Sequence, residues 1–164
     1  MWAKVFTLAF SIFMKIVLQK VKNASVSIND SVIGKISHGL LLFVGIAHAD
    51  TEKDADWLVE KIIKLRIFSD AESDSFMEKN IIDAGGDLLV VSQFTLYGDC
   101  KKGTKPSFTN AAPPEQANRL YEYMVRRFRE TCVKVETGRF GSYMDIALVN
   151  DGPLTLILDT EKKS

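Results

Sequence analysis

Histidine and cysteine are scarce: the 164 residues hold two of each. His38 and His48 have no ligand-like neighbours, which argues against a zinc site and leaves each as a surface or internally bonded side chain. Cys100 and Cys132 have no metal-type spacing and make no disulfide framework, so free thiols in a reducing compartment are expected. An excess of one charge is missing as well, since 21 basic residues face 21 acidic ones. Composition therefore gives no sign of general nucleic-acid or DNA binding, and any RNA contact must be local. No repeat, low-complexity tract or linker divides the chain. The apolar stretch 1–13 is too short to span a bilayer and lacks a small-residue cleavage site. It is expected to be an extended gene start outside the main fold rather than a targeting leader. What remains, 46% hydrophobic and 26% charged, suits one domain over residues 14–164 with a core that needs no staples.

Lys15–Val21, Ala24–Ile28 and Val32–Ile36 read as short strands, with Asn29-Asp30-Ser31 as a hairpin turn. The apolar run Leu40–Ile46 reads as a central strand. Thr51 with Asp54 three residues later makes a box-like helix start, and Ala55, Leu58, Val59, Ile62 and Leu65 follow at helical spacing. Residues 69–75 form an acidic loop. A second helix is expected from Pro114 and Glu115, with Ala117, Leu120, Tyr121, Met124 and Phe128 inward. Arg119, Arg126, Arg127 and Arg129 fall mostly on its outer side, ordinarily a solvated face. Val133–Glu136, Tyr143–Val149 and Leu154–Leu158 complete the strands. The fold class is α/β of the α+β type: mixed and antiparallel strands in a barrel-like arrangement with two main helices.

Two segments carry chemistry. After the Gly85-Gly86 turn, the apolar run Leu88–Val91 reads as a strand buried on both faces, then passes into Ser92-Gln93-Phe94-Thr95-Leu96 without a loop signal. Continued alternation would put Ser92, Phe94 and Leu96 on one side and Gln93 and Thr95 on the other. Polar side chains at the end of a buried strand need partners, either internal or a ligand, because each unpaired group costs about 1–3 kcal/mol. The other segment is Asn150-Asp151-Gly152-Pro153-Leu154-Thr155, a Gly-Pro step between two strands. Its plain reading is a turn, although proline permits a cis bond and glycine a close approach.

Together these segments resemble the two signatures of the D-aminoacyl-tRNA deacylases. The resemblance runs from Met14 onward, through Lys15–Val21, Gly45-Ile46, Lys64–Phe68, Lys102–Phe108 and Thr137–Met144. It implies a homodimeric, cytoplasmic enzyme without metal or cofactor that hydrolyses the ester of D-aminoacyl-tRNA and spares L-aminoacyl-tRNA. Glycyl-tRNA is implied as a further, side-chain-blind substrate. Ser92, Gln93, Phe94 and Thr95 are the catalytic candidates, with Gly152-Pro153 expected to be cis and inserted into the partner's pocket as the chiral filter. No hydrolytic triad or carboxylate pair is legible. Main-chain N–H groups around Gln93 and Phe94 are therefore the expected oxyanion donors, aided by the terminal ribose 2′-hydroxyl, with a Thr95 nucleophile as the lesser alternative. Lys101, Lys102 and Lys105 are candidates for acceptor-end phosphates, and Ala111 or Ala112 for the face beside the adenine. Lys20 stands where the family commonly has arginine and is expected to brace the Gly-Pro loop without arginine's bidentate fork. A non-catalytic nucleic-acid-binding or replication-associated dimer is the competing role.

Overall fold

The computed structural model describes residues 12–70, 72, 75 and 77–161. Expectations for 1–11 and for 71, 73 and 74 of the acidic loop lie outside the described residues. Six strands and two helices appear: β1 Lys15–Ile28, β2 Ser31–Ile36, β3 Gly39–Gly45, α1 Glu52–Lys64, β4 Asp87–Ser92, α2 Pro114–Arg129, β5 Val135–Thr137 and β6 Asp145–Asp159. The strands form one mixed sheet in the order β2-β1-β3-β4-β5, with β6 on the remaining side of β1. Pairings of β1 with β2, β3 and β6 are antiparallel, whereas β3–β4 and β4–β5 are parallel. The sheet curls until β2 meets β5: a Cβ on Gly34 would lie 2.8 Å from the Thr137 carbonyl oxygen. This is the expected single α+β domain, a nearly closed barrel-like sheet with two helices.

Alternation along β3 decides the two layers. Leu40, Leu42 and Val44 join Leu88 and Val90 of β4 in packing against α1 and α2, while Leu41, Leu89 and Val91 turn into the barrel with Val26 and Ile36. Both faces of these central strands are dry, which explains their unbroken apolar sequence. Thr51 and Asp54 close a capping box at α1, typically worth about 1 kcal/mol. Pro114 occupies the first turn of α2, where its missing N–H is harmless. The helices are tied by Asp56, which accepts from Tyr123 Oη at 2.9 Å and Arg127 Nε at 2.7 Å.

Three expectations change. The first two strands are one, a 14-residue β1 that changes partners along its length from β3 to β2. Its turn into β2 is as expected, with Asn29 and Asp30 at φ 48° and 62° as a tight hairpin requires. The Gly-Pro step is not a turn: β6 runs through it. Thr155–Asp159 pair with Lys15–Gln19 and Asp145–Val149 with Asn23–Ser27, so both arms find partners on the same long strand. Between them Asn150 replaces the lost ladder, its Oδ1 accepting from Leu154 N at 2.9 Å and its Nδ2 donating to Thr155 Oγ1 at 3.2 Å. Finally, β4 ends at Ser92, and Phe94–Tyr97 form a 3-10 turn in place of the alternating extension.

Candidate active site

The carboxyl ends of the parallel pair β3 and β4 lie together, Val44 beside Ser92, where ligands of parallel strands commonly bind. A cavity of about 460 Å³ opens there, bordered by Ser92, Gln93 and Phe94 on one side and by Ala111, Ala112 and the start of α2 on the other. Ala112 is held in the wall by its N–H, which donates to Ile46 O at 2.9 Å, and is only 8% exposed. Phe94 stacks edge-on against Phe108 with centroids 5.1 Å apart, yet its ring stays 58% exposed. Such a wall is open enough for a large planar group to slide against it.

The backbone supplies the donors. Gln93 N donates to Val44 O at 2.8 Å, the last sheet bond before the chain turns, so this N–H is not free for a ligand. Leu96 N returns to Gln93 O and Gly98 N to Thr95 O as the 3-10 turn closes. Among the described residues, the N–H groups of Phe94 and Thr95 have no backbone acceptor. Of the main-chain N–H groups expected to serve a ligand, that of Gln93 is spent on the sheet, while that of Phe94 has no backbone acceptor. Gly45 makes the tight turn possible, because a Cβ there would meet Tyr97 Cε2 at 3.0 Å and Leu96 Cβ at 3.3 Å. Tyr97 anchors the end of the turn by donating its hydroxyl to Phe13 O at 2.8 Å. Burial pushes that phenol well above its ordinary range, so it remains a neutral donor.

Thr95 lies outside the cavity wall, exposed, with its hydroxyl accepting from Gln93 Nε2. That contact orients the Gln93 amide and gives no base to a threonine nucleophile. Sequence reasoning missed His48, Phe108, Thr109 and Phe140, all of which border the cavity. His48 is held in place at two points: its ring Nε2 meets Thr109 O at 2.9 Å and its backbone carbonyl accepts from Gln116 Nε2 at 2.8 Å. His38 Nε2 likewise meets Ala84 O at 3.0 Å. No histidine signal pointed to the cavity, whereas Phe140 lay within the Thr137–Met144 stretch of the resemblance. Among the described residues no three His, Cys, Asp or Glu side chains cluster as metal ligands.

The remaining expected residues fall elsewhere. Lys101 borders a different hollow, with Lys15, Tyr97, Asp99, Asp159 and Glu161. Gly152-Pro153 is cis and lies in β6 opposite Lys20, whose Nζ is 3.5 Å from Asp151 Oδ2. In register, Lys20 pairs with Leu40, which pairs with Leu88, four residues before Ser92. With strands about 4.8 Å apart and a rise of about 3.3 Å per residue, the motif is roughly 20 Å from the Ser92 end of its own sheet. A single chain thus keeps its two signatures apart.

A family model described as D-Tyr-tRNA(Tyr) deacylase matches residues 17–159, nearly the whole described fold. The chain belongs to this family. D-aminoacyl-tRNA deacylases of Thermosipho melanesiensis and Brevibacillus brevis are 51% and 52% identical to it, over 91% and 90% of this chain and 99% and 100% of theirs. A solved structure named c-Myc DNA Unwinding Element Binding Protein superposes with a TM-score of 0.84 at 38% identity, covering 90% of this chain and 99% of its own. A probable eukaryotic D-amino acid tRNA deacylase shares the fold, with a TM-score of 0.79 at 16% identity over 90% of this chain and all of its own. Membership in the Tyr-deacylase family identifies a hydrolase fold.

Proposed function

We propose that this chain hydrolyses the ester joining a D-amino acid to the terminal adenosine of tRNA. The observation that carries this reading is the N–H of Phe94, a residue bordering the cavity, which with the N–H of Thr95 next to it has no backbone acceptor among the described residues, in a chain whose relatives are named for this reaction. The adenosine lies between the Ser92–Phe94 edge and the Ala111–Ala112 wall. The ester carbonyl then faces the two N–H groups, which stabilise the oxyanion as water adds; one such donor is commonly worth about 2.7–4 kcal/mol. His48, the histidine at the cavity border, is tied by its Nε2 to Thr109 O, and the ribose 2′-hydroxyl positions the water. Ser92 and Gln93 orient the nucleoside.

Selection by chirality needs a rigid object near the α-carbon, since mirror-related esters bury the same area. Gly152-Pro153 is the candidate, presented by a second copy. Two features support a two-fold dimer: the separation of the signatures within one chain, and the edge of β6 away from β1, which pairs with no strand among the described residues. On β6 Ile157 is 74% exposed, with Val149 and Leu156 also exposed, and Tyr143 just before the strand is 90% exposed. Long apolar edge strands seldom remain unpaired. Lys20 holds the step through Asp151. Glycyl-tRNA, with no side chain to exclude, is a second substrate.

Incubation with D-tyrosyl- and L-tyrosyl-tRNA tests the activity: selective loss of the D-ester is expected, and equal persistence of both esters rejects the enzyme reading. Light scattering should give twice the 18.3 kDa chain mass. The competing role, a non-catalytic nucleic-acid-binding dimer, draws support from the 38%-identical relative, which is named for binding a DNA unwinding element. It predicts nucleic-acid affinity without ester loss.

A further inference from the structure

The second large cleft bordering Phe140 has the opposite character to the cavity beside Ser92. It holds about 470 Å³ between α2 and the connection from β5 to β6, and Arg126, Arg129 and Arg139 line it against a single carboxylate, Glu122. Arg126 and Arg129 are one helical turn apart on α2, and Arg139 approaches from the other wall. Among the described residues none of the three has an ion-pair partner. Arg127 differs, being taken up by Asp56 and Glu130. Arg126 lies over the Tyr123 ring, 5.4 Å from its centroid, which orients the guanidinium without neutralising it. Like charges at this spacing repel, so the cluster is unfavourable until an anion fills it.

We propose that this cleft receives phosphodiesters of an RNA strand whose 3′ end occupies the cavity beside Ser92. Phe140 is common to both walls, so the two spaces adjoin across a single side chain. A nucleic-acid strand leaving the ester site over Phe140 enters the arginine cleft directly. The hollow by Lys101 is the poorer route, because Lys15 and Lys101 there face Asp99, Asp159 and Glu161. Three planar guanidiniums suit phosphate oxygens and read no base, so the contact is sequence-blind. A net charge of zero for the whole chain is compatible with this, since the cation excess is local. The inference rests on the deacylase reading for what occupies the first cavity, but not for the affinity itself.

Binding of deacylated tRNA, followed by fluorescence anisotropy between about 50 and 200 mM salt, tests it. Arg126→Gln with Arg129→Gln should flatten the slope of log affinity against log salt by about 0.7–0.9 per arginine removed. The Lys-for-Arg versions should restore most of that slope, which a merely structural role would not do. With D-aminoacyl-tRNA the Gln pair should raise KM with kcat within about twofold, and a phosphate-free D-aminoacyl-adenosine ester should be cleaved as by the parent. An unchanged salt slope in the Gln pair overturns the proposal, as does an equal loss on the phosphate-free ester. Arginine-dependent binding without ester hydrolysis would leave the cleft assignment standing and sink the deacylase reading.

Discussion

Gly45→Ala is the sharpest probe of the oxyanion geometry, because it touches no ligand. The new Cβ would lie 3.0 Å from Tyr97 Cε2 and 3.3 Å from both Leu96 Cβ and Cδ1. Carbon atoms settle at about 3.5–4.0 Å, so the 3-10 turn must retreat by roughly half an ångström or more. Tyr97 cannot yield alone, being 5% exposed and hydrogen-bonded to Phe13 O. The turn therefore moves as a unit and carries the Phe94 and Thr95 N–H groups with it. A misplacement of about 1 Å costs about a hundredfold in rate, so a loss in kcat/KM of roughly ten- to a hundredfold is expected. Overpacking costs about 1–3 kcal/mol, and each kcal/mol lowers Tm by about 2–4 °C in a chain of this size. The assay pairs single-turnover hydrolysis of D-tyrosyl-tRNA with a thermal melt. Leu96→Ala in the same background relieves the crowding at Leu96 Cδ1 and frees the turn to settle, so it should recover part of the rate. If Gly45→Ala turns over within twofold of the parent while its Tm falls, the two N–H groups are not the donors.

Thr95→Ala removes only the acceptor that orients Gln93, so rates should fall by no more than about tenfold, the worth of one side-chain hydrogen bond. Complete loss in single turnover, with tRNA ending in 2′-deoxyadenosine still cleaved normally, would instead make Thr95 the nucleophile. Ala112→Leu fills part of the 460 Å³ cavity and should raise KM at least about tenfold with a smaller change in Tm, read by steady-state kinetics. Asp56→Asn tests the tie between the helices. The Arg127 hydrogen bond, aided by Tyr123, holds the Asp56 carboxyl below its ordinary 3.8 against the opposing effect of burial. A depressed folded value means the pair stabilises at pH above about 3.8 and is lost as pH falls through the folded value. The substitution should therefore lower Tm at neutral pH, and the gap from the parent should close in acid; a gap independent of pH would remove the ion pair as its cause.

Local chemistry made much of the fold readable. Asn29-Asp30 named its own hairpin, Thr51 and Asp54 their helix start, Pro114 the start of α2, Leu40–Ile46 a central strand and Leu88–Val91 a strand dry on both faces. Each of these signals lies within a few residues of the structure it dictates. The failures share the opposite property. β6 is continuous through Gly152-Pro153 only because β1, more than a hundred residues earlier, is long enough to pair with both arms. Read alone, the same dipeptide is a turn. Likewise, Ser92–Leu96 alternates as a strand would, and nothing within those five residues ends it. The chain leaves the sheet where Val44 O takes the Gln93 N–H and the bare Cα of Gly45 lets the turn fold close. The two N–H groups left over at Phe94 and Thr95 therefore exist because of a glycine on a neighbouring strand. The proposed oxyanion site is made of backbone and so has no side-chain signature of its own; only the residues that shape the backbone around it can be read, and here the decisive one is Gly45.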